Sequence, residues 1–433
     1  MKVLIKNGRI VDPATGRDET GDLAVAAGRI VAIGRVAADF TPNRTLDASG
    51  LVVAPGLVDL AARLREPGHE HEGMLESEMA AAMAGGVTSL VCPPDTDPPL
   101  DEPGLVEMLK FRARNLNHAR LYPLGALTRG LKGEALTEMA ELTEAGCVGF
   151  SQAEASCRDT LVLHRALQYA STFGYAVWLR PNDPWLGNGV AAKGPLATRM
   201  GLSGVPAIAE TIALATLFEL VRDTKARVHL CRLSSAAGVE LVRAAKAEGL
   251  PVSCDVSVNN LHLTDVDIGY FNAAMRLTPP LRQQRDRDAL RAALADGTID
   301  ALVSDHTPVD EDAKNLPFAE AEPGATGLEL LLSLAIKWGA EAGLPLPEAL
   351  ATVTHRPVGV LGESLGSLGS SAGRLVEGGV ADLCLFDPSA RWTVTPAALR
   401  SQGRHTPFAG YELPGRVIAT LVGGHLAYEA AHG

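Results

Sequence analysis

Histidines, arginines and acids at the ends of apolar runs are where this 433-residue chain offers chemistry. Its 11 histidines are enough for a multi-histidine metal centre, in which neutral imidazoles and carboxylates hold a divalent cation. His69 and His71 form an HxH just after Pro67-Gly68, a loop context in which solvated histidines need no metal. Asp305 and His306 lie together in Ser304-Asp-His-Thr-Pro308, and His229 precedes Cys231-Arg232, where packing accounts for it. Arg63, Arg65, Arg180 and Arg232 each follow an apolar run. A guanidinium stays charged and offers donors without a lone pair, so it forks carboxylate or phosphate and does not ligate metal. Gly366, Gly369 and Gly373 resemble a phosphate cradle in spacing only. No strand precedes them and no Lys-Ser/Thr follows, so a flexible surface linker is the reading.

These residues need a scaffold, and the pattern of apolar runs supplies one. Short strands occupy the first fifty residues, with Asn7-Gly8 read as the turn of an opening hairpin. From there apolar runs alternate with helix-periodic segments: Val52–Leu60, Val87–Cys92, Leu121–Leu124, Val148–Ser151, Ala176–Leu179, Val228–Leu233, Pro251–Val256 and Ala301–Ser304. Helical stretches include Glu76–Ala84, Pro103–Leu116, Ala207–Lys225, Ala236–Glu248 and Gly327–Ala342. Eight strands with helices between them predict an α/β fold, a parallel (β/α)8 TIM barrel. Strands return at Ala381–Phe386, Trp392–Val394, Arg416–Leu421 and Leu426–Tyr428, so both termini are expected to build a small β-sandwich. The expected division is 1–52 with 375–433 for the sandwich and 53–374 for the barrel.

Composition narrows the class. A net charge of −12 argues against nucleic-acid binding, which needs cations to displace counterions from phosphate. No apolar run is long enough to span a membrane, and the N-terminus lacks a signal-peptide pattern. Cys92, Cys147, Cys157, Cys231, Cys254 and Cys384 are scattered singly, as expected of reduced thiols in a cytoplasmic protein.

Several segments in order resemble the dihydroorotase branch of the amidohydrolase superfamily, nearly end to end. They are Ala54-Pro-Gly-Leu-Val-Asp59, Leu64-Arg-Glu-Pro-Gly68, Ala84-Gly-Gly-Val-Thr88, Cys92-Pro-Pro, Val148-Gly-Phe-Ser151, Pro279-Pro-Leu-Arg282, Ser304 to Pro308 and Pro323 to Glu329. Val256 through Asp265 and the tail from Gly373 to Gly424 continue the likeness. The resemblance implies a cyclic-amide hydrolase with zinc at the C-terminal mouth of the barrel, polarising a carbonyl and activating water. It also implies an eighth-strand aspartate as general base, at Asp305, and substrate contacts from Arg65 and His306.

Position by position, the ligand set that the resemblance implies is replaced. Ala61 and Arg63 stand at the first-strand HxH, Gln152 and Ala153 at the fourth-strand carboxylate, Arg180 at the fifth-strand histidine and Arg232 at the sixth. Asp305 alone remains of it, a vestigial base, with Arg65 and His306 as vestigial substrate contacts. Asp95 takes the place of an expected asparagine, and an acid there disfavours an anionic substrate. The expectation is therefore no cofactor, zinc included, and an inactive dihydroorotase homologue of pyrimidine biosynthesis. Such homologues assemble with aspartate carbamoyltransferase, so a homo- or hetero-oligomer is expected, with no nucleic acid or membrane partner.

Two alternatives stay open. One is an active cyclic amidohydrolase whose metal has moved onto His69, His71, Asp305 and His306. The other is a binding module in which the arginines form an anion pocket. An internal salt-bridge network plugging the vacated site is the simpler fate for them, since a buried cation without a partner is costly.

Overall fold

Nineteen strands form among residues 1–430, which the computed structural model describes. In chain order they are β1 (Lys2–Asp12), β2 (Arg17–Ala26), β3 (Arg29–Gly34), β4 (Arg44–Asp47), β5 (Val52–Pro55), β6 (Leu57–Asp59), β7 (Val87–Cys92), β8 (Arg120–Pro123), β9 (Gly125–Ala126) and β10 (Phe150–Ser151). There follow β11 (Ala176–Leu179), β12 (Ala191–Ala192), β13 (Gly204–Val205), β14 (Arg227–Leu230), β15 (Val252–Ser257), β16 (Ala301–Val303), β17 (Leu383–Thr393), β18 (Glu412–Val422) and β19 (His425–Glu429).

The two ends of the chain share one sheet, in the order β19-β18-β17-β5-β1-β2-β3, with β4 also on β1. Alternation turns Ile5, Ile10, Leu23, Val25, Val53, Leu383 and Leu421 into a common core. The expected hairpin turn at Asn7-Gly8 is not there. β1 runs straight through it, with a register shift between Ile5 and Gly8 and Asn7 at φ 61°. Ile10 and Val11 beyond it are fully buried, so the extra residue is absorbed as a bulge and the strand continues. The expected strand Val52–Leu60 is likewise two strands. β5 pairs with β1 and β17 in the terminal sheet, whereas β6 pairs with β7. The break is at Gly56, where a Cβ would sit 2.2 Å from the Thr88 side chain.

β6, β7 and β8 pair in parallel, as do β9, β10, β11, β14, β15 and β16. β8 and β9 are one stave interrupted at Leu124, whose amide donates to the Cys92 carbonyl. Eight staves thus form the (β/α)8 barrel, and its seam closes through the Ala62–His306 bridge. Side chains reinforce that seam: the Asp59 carboxylate accepts from the Ser304 amide at 3.0 Å and from the Ser304 hydroxyl. Helices such as Ile208–Thr224 and Ala236–Ala247 pack outside, burying Leu214, Leu217, Val239 and Val242. The glycine-rich segment is not a bare linker, because Gly362–Ser370 forms 3-10 turns with Leu365 buried. All six cysteines are free, and no helix among the described residues is long and apolar enough to cross a membrane.

Barrel and terminal sheet touch closely at Gly86, which has φ 78° and lies where a Cβ would come within 2.5 Å of Cys384 Sγ on β17. A left-handed non-glycine residue costs about 1–2 kcal/mol before any clash. Gly86→Ala is therefore expected to lower stability by about 2 kcal/mol or more, read as a shift of the urea midpoint.

Candidate functional site

Three guanidiniums and three carboxylates close the C-terminal mouth of the barrel. Arg63 follows β6, Arg180 follows β11, Arg232 follows β14 and Asp305 follows β16, so neighbouring staves deliver them to one place. Glu154, beyond β10, sits at the centre. It pairs with Arg63 at 3.1 Å, with Arg180 at 2.5 Å and with Arg232 more closely still. Arg63 also pairs with Asp95 at 2.8 Å, and Arg232 with Asp305 at 3.0 Å. Hydrogen bonds from Arg63 to Thr307 Oγ1 (3.1 Å) and from Arg232 to the Thr278 carbonyl (3.2 Å) engage further donors. Three positive groups thus meet three negative ones.

The backbone is bent to make this possible. Arg65, Ala153, Arg232 and Asp305 all adopt φ between 51° and 64°, a region that non-glycine residues avoid. Such strain concentrates at sites and persists only where surrounding contacts hold it. Electrostatics follow the geometry. Burial pushes the Glu154 carboxyl up, but Arg180, Arg232 and Arg63 outweigh it and hold it well below the usual carboxylate range. For Asp305 burial wins, only partly offset by Arg232 and Arg63, and its carboxyl is raised.

The remaining expected residues have other duties. Arg65 Nε lies 2.7 Å from a Glu72 carboxylate oxygen and donates to the Pro308 carbonyl, so its fork faces an internal acid. His306 is fully buried beneath the mouth, its Nε2 2.7 Å from Glu78, while the Gly327 amide donates to its Nδ1 at 3.1 Å. That pattern makes Nε2 the protonated nitrogen. His71 is exposed and Asp305 is paired with Arg232, so the structure does not gather His69, His71, Asp305 and His306 into a ligand set. Ala61 is half-buried. Gln152 accepts from Thr128 and donates to the Leu131 carbonyl. Asp95, expected to repel an anion, is already neutralised by Arg63.

The chemistry of this donor set does not fit a metal: at the mouth, three guanidiniums offer no lone pair and take up the available carboxylates. The expectation that the chain has no group able to take a cofactor is nevertheless corrected. His229, Cys231 and Asp255 bring an imidazole nitrogen, a thiol and a carboxylate oxygen within 4.8 Å of one another, a donor set that could hold a metal ion. Packing alone was the wrong account of His229, because Nδ1 lies 2.8 Å from Ser253 Oγ and Nε2 lies 2.9 Å from Asp255. Burial raises the Cys231 thiol well above its ordinary value. The same Asp255 accepts from the Arg232 amide at 2.7 Å, which ties this group to the network above it.

Two cavities adjoin the mouth. The void lined by Arg180, Arg232, Arg276, Thr278 and Arg282 measures about 30 Å3, one water's share of liquid volume. A second cleft of about 190 Å3 opens between Gln152, Arg180 and Trp185.

Glu154 was missed from the sequence, as were Glu72 and Glu78. Glu154 lies in a loop with no periodicity to mark it. The His229-x-Cys231 spacing was a readable signal, because alternate strand residues face one side. Parallel pairing of His229 with Ser253 then brings Asp255 level with Cys231.

A family model described as dihydro-orotase-like matches residues 50–237. The chain is 46% identical over 430 residues to a dihydroorotase-like protein of Pseudomonas aeruginosa, covering 99% of this chain and 100% of that one. It is 37% identical to a dihydroorotase of Syntrophotalea carbinolica, covering 99% of each. Among solved structures, the L-hydantoinase of Arthrobacter aurescens superimposes with a TM-score of 0.88 at 24% identity, over 99% of this chain and 96% of that one. Hydantoinase likeness at this identity speaks for the fold. Similarity to the named relatives along nearly the whole length goes further: the chain belongs to the dihydroorotase-like family.

Proposed function

We propose that this chain is a dihydroorotase homologue of pyrimidine biosynthesis whose barrel mouth has exchanged its zinc ligands for an internal ion-pair network. On this reading it does not hydrolyse cyclic amides and serves in the cytoplasm as a structural partner of aspartate carbamoyltransferase. One observation carries the loss of catalysis: Arg63, Arg180 and Arg232 are paired to Asp95, Glu154 and Asp305, beside a void of about 30 Å3. Opening the mouth to a substrate means separating these buried ion pairs. Partnership with the transferase is supported by the family's role and by the retention of a complete barrel around a filled site, since a scaffold needs its core and only a grafted site needs its ligands.

A second reading has its own observation. The His229, Cys231 and Asp255 group lies just below the mouth and offers zinc-compatible donors, so an active cyclic amidohydrolase with an altered metal site is the competing function. Dihydroorotate hydrolysis and N-carbamoyl-aspartate cyclisation, assayed with and without added zinc, separate the two. The expected result is no turnover above buffer in either direction. Zinc-dependent turnover abolished by Cys231→Ser would establish the second reading instead. Transferase from the same organism, purified with and without this chain, tests the partnership: the expected result is a larger, more active assembly when the chain is present. Identical size and activity in both preparations would refute it.

A further inference from the structure

A sizeable unassigned feature lies between the terminal sheet and the helix Leu331–Glu341. It is a cleft of about 810 Å3, a size typical of small-molecule sites. Four arginines line it: Arg391, Arg400, Arg404 and Arg416. All four are exposed, and among the described residues none of their guanidiniums is bonded to a carboxylate or a carbonyl. On a chain with net charge −12, whose mouth arginines are all paired, four unpaired arginines around one concavity stand out.

Sheet register holds two of them together. Arg391 on β17 lies opposite Pro414 on β18, and Arg416 is two residues further along β18, so both project from the same face. The carboxylate nearest in register, Asp387, is taken by the Ser389 hydroxyl and by the amides of Ser389 and Ala390. Glu329 is the one acid lining the cleft. It accepts the Arg400 amide, and burial pushes its carboxyl up to about 7, which weakens its opposition to an anion. Two half-buried aromatic residues, Trp392 and Tyr428, complete the wall, and the indole is fixed by a 3.0 Å bond from Nε1 to Ser333 Oγ.

We propose that this cleft binds a polyphosphate anion, either free or carried on a nucleoside, with Arg391 and Arg416 as its principal contacts. A guanidinium forks two phosphate oxygens, so several arginines around one cavity match a chain of phosphates better than a single carboxylate. The aromatic wall offers a face on which a base could stack. The inference is independent of what happens at the barrel mouth.

The test is isothermal titration of the full chain at low ionic strength with inorganic tripolyphosphate and, separately, with adenosine triphosphate. Tripolyphosphate is expected to bind, and Arg391→Ala with Arg416→Ala to weaken it by roughly tenfold or more, given the strength of charge-assisted pairs. These side chains are exposed, so the double variant retains the fold. Arg114→Ala, in a second basic cleft beside His118 and His425, is expected to change nothing. Tighter binding of the nucleotide than of tripolyphosphate, with quenching of indole fluorescence lost in Trp392→Leu, assigns the nucleoside-borne source. Equal affinity assigns the phosphates alone. No heat from either probe, or binding untouched by the double variant, would overturn the proposal.

Discussion

Glu154→Ala is expected to destabilise the protein by about 3 kcal/mol, measured as a lowered urea midpoint. Removing one member of a buried ion pair typically costs about 3–5 kcal/mol, because the partner is left charged in a poor solvent. Here the side chains of Arg63, Arg180 and Arg232 are only 9%, 12% and 6% exposed, whereas that of Glu154 is 34% exposed. Water can therefore reach part of the vacated position, which sets the lower end of the range. Arg63 keeps Asp95 and Arg232 keeps Asp305, so the stranded charge is Arg180. Glu154→Ala combined with Arg180→Gln is thus expected to recover part of the loss, a coupling that a double-mutant cycle reads directly. A Glu154→Ala loss below about 1 kcal/mol, the scale of exposed pairs, would mean that the network is a surface feature. Acid should erase the difference between wild type and variant. Because the folded Glu154 carboxyl is held below its unfolded value, its contribution is complete above the ordinary glutamate pKa of about 4.3 and is lost as pH falls through the lowered folded value. The gap should stay constant from neutrality to about pH 5 and shrink below it.

Glu78→Ala should cost more, about 4 kcal/mol. Its carboxylate is fully buried and accepts from His306 Nε2 at 2.7 Å, the Ser401 hydroxyl at 2.6 Å and the Gln402 amide at 2.9 Å. Each buried donor left without an acceptor costs about 1–3 kcal/mol, and three are orphaned at once. Burial pushes the Glu78 carboxyl up, but His306 and Ser401 outweigh it and leave it lowered. Its contribution too is present above the unfolded value and disappears in acid. Glu78→Gln preserves size and one acceptor oxygen and should lose less. The comparison by urea unfolding tells hydrogen bonding from packing. Equal losses in the two variants would assign the effect to charge.

Much of the scaffold was legible because each element repeats a simple period. Apolar runs alternating with helical stretches marked the barrel, and the strands at both ends marked a shared sheet. Junctions were not legible. The apolar run from Val52 to Leu60 reads as one strand, although it carries a Pro55-Gly56 turn signal at the break. The split is enforced by the approach of Thr88, a residue far away in sequence. At the site, Arg63, Arg180, Arg232 and Asp95 were identified through resemblance. Their pairing required Glu154, which lies outside any strand. The His229, Cys231 and Asp255 group depended on parallel register between β14 and β15, a relation that a single sequence does not contain.

The even balance at the barrel mouth has a consequence for heredity. Asp95, Glu154, Asp305 and the three arginines come from six separate stretches of the gene, yet neutrality makes them one unit. Losing Glu154 strands Arg180, whereas losing Asp95 or Asp305 still leaves Arg63 and Arg232 paired with Glu154. Single-step descendants at Glu154 therefore pass through a less stable protein before a second change repairs them. Substitutions at codons 154 and 180 should appear as compensating pairs when descendants of this gene are sequenced, while neighbouring positions drift one at a time.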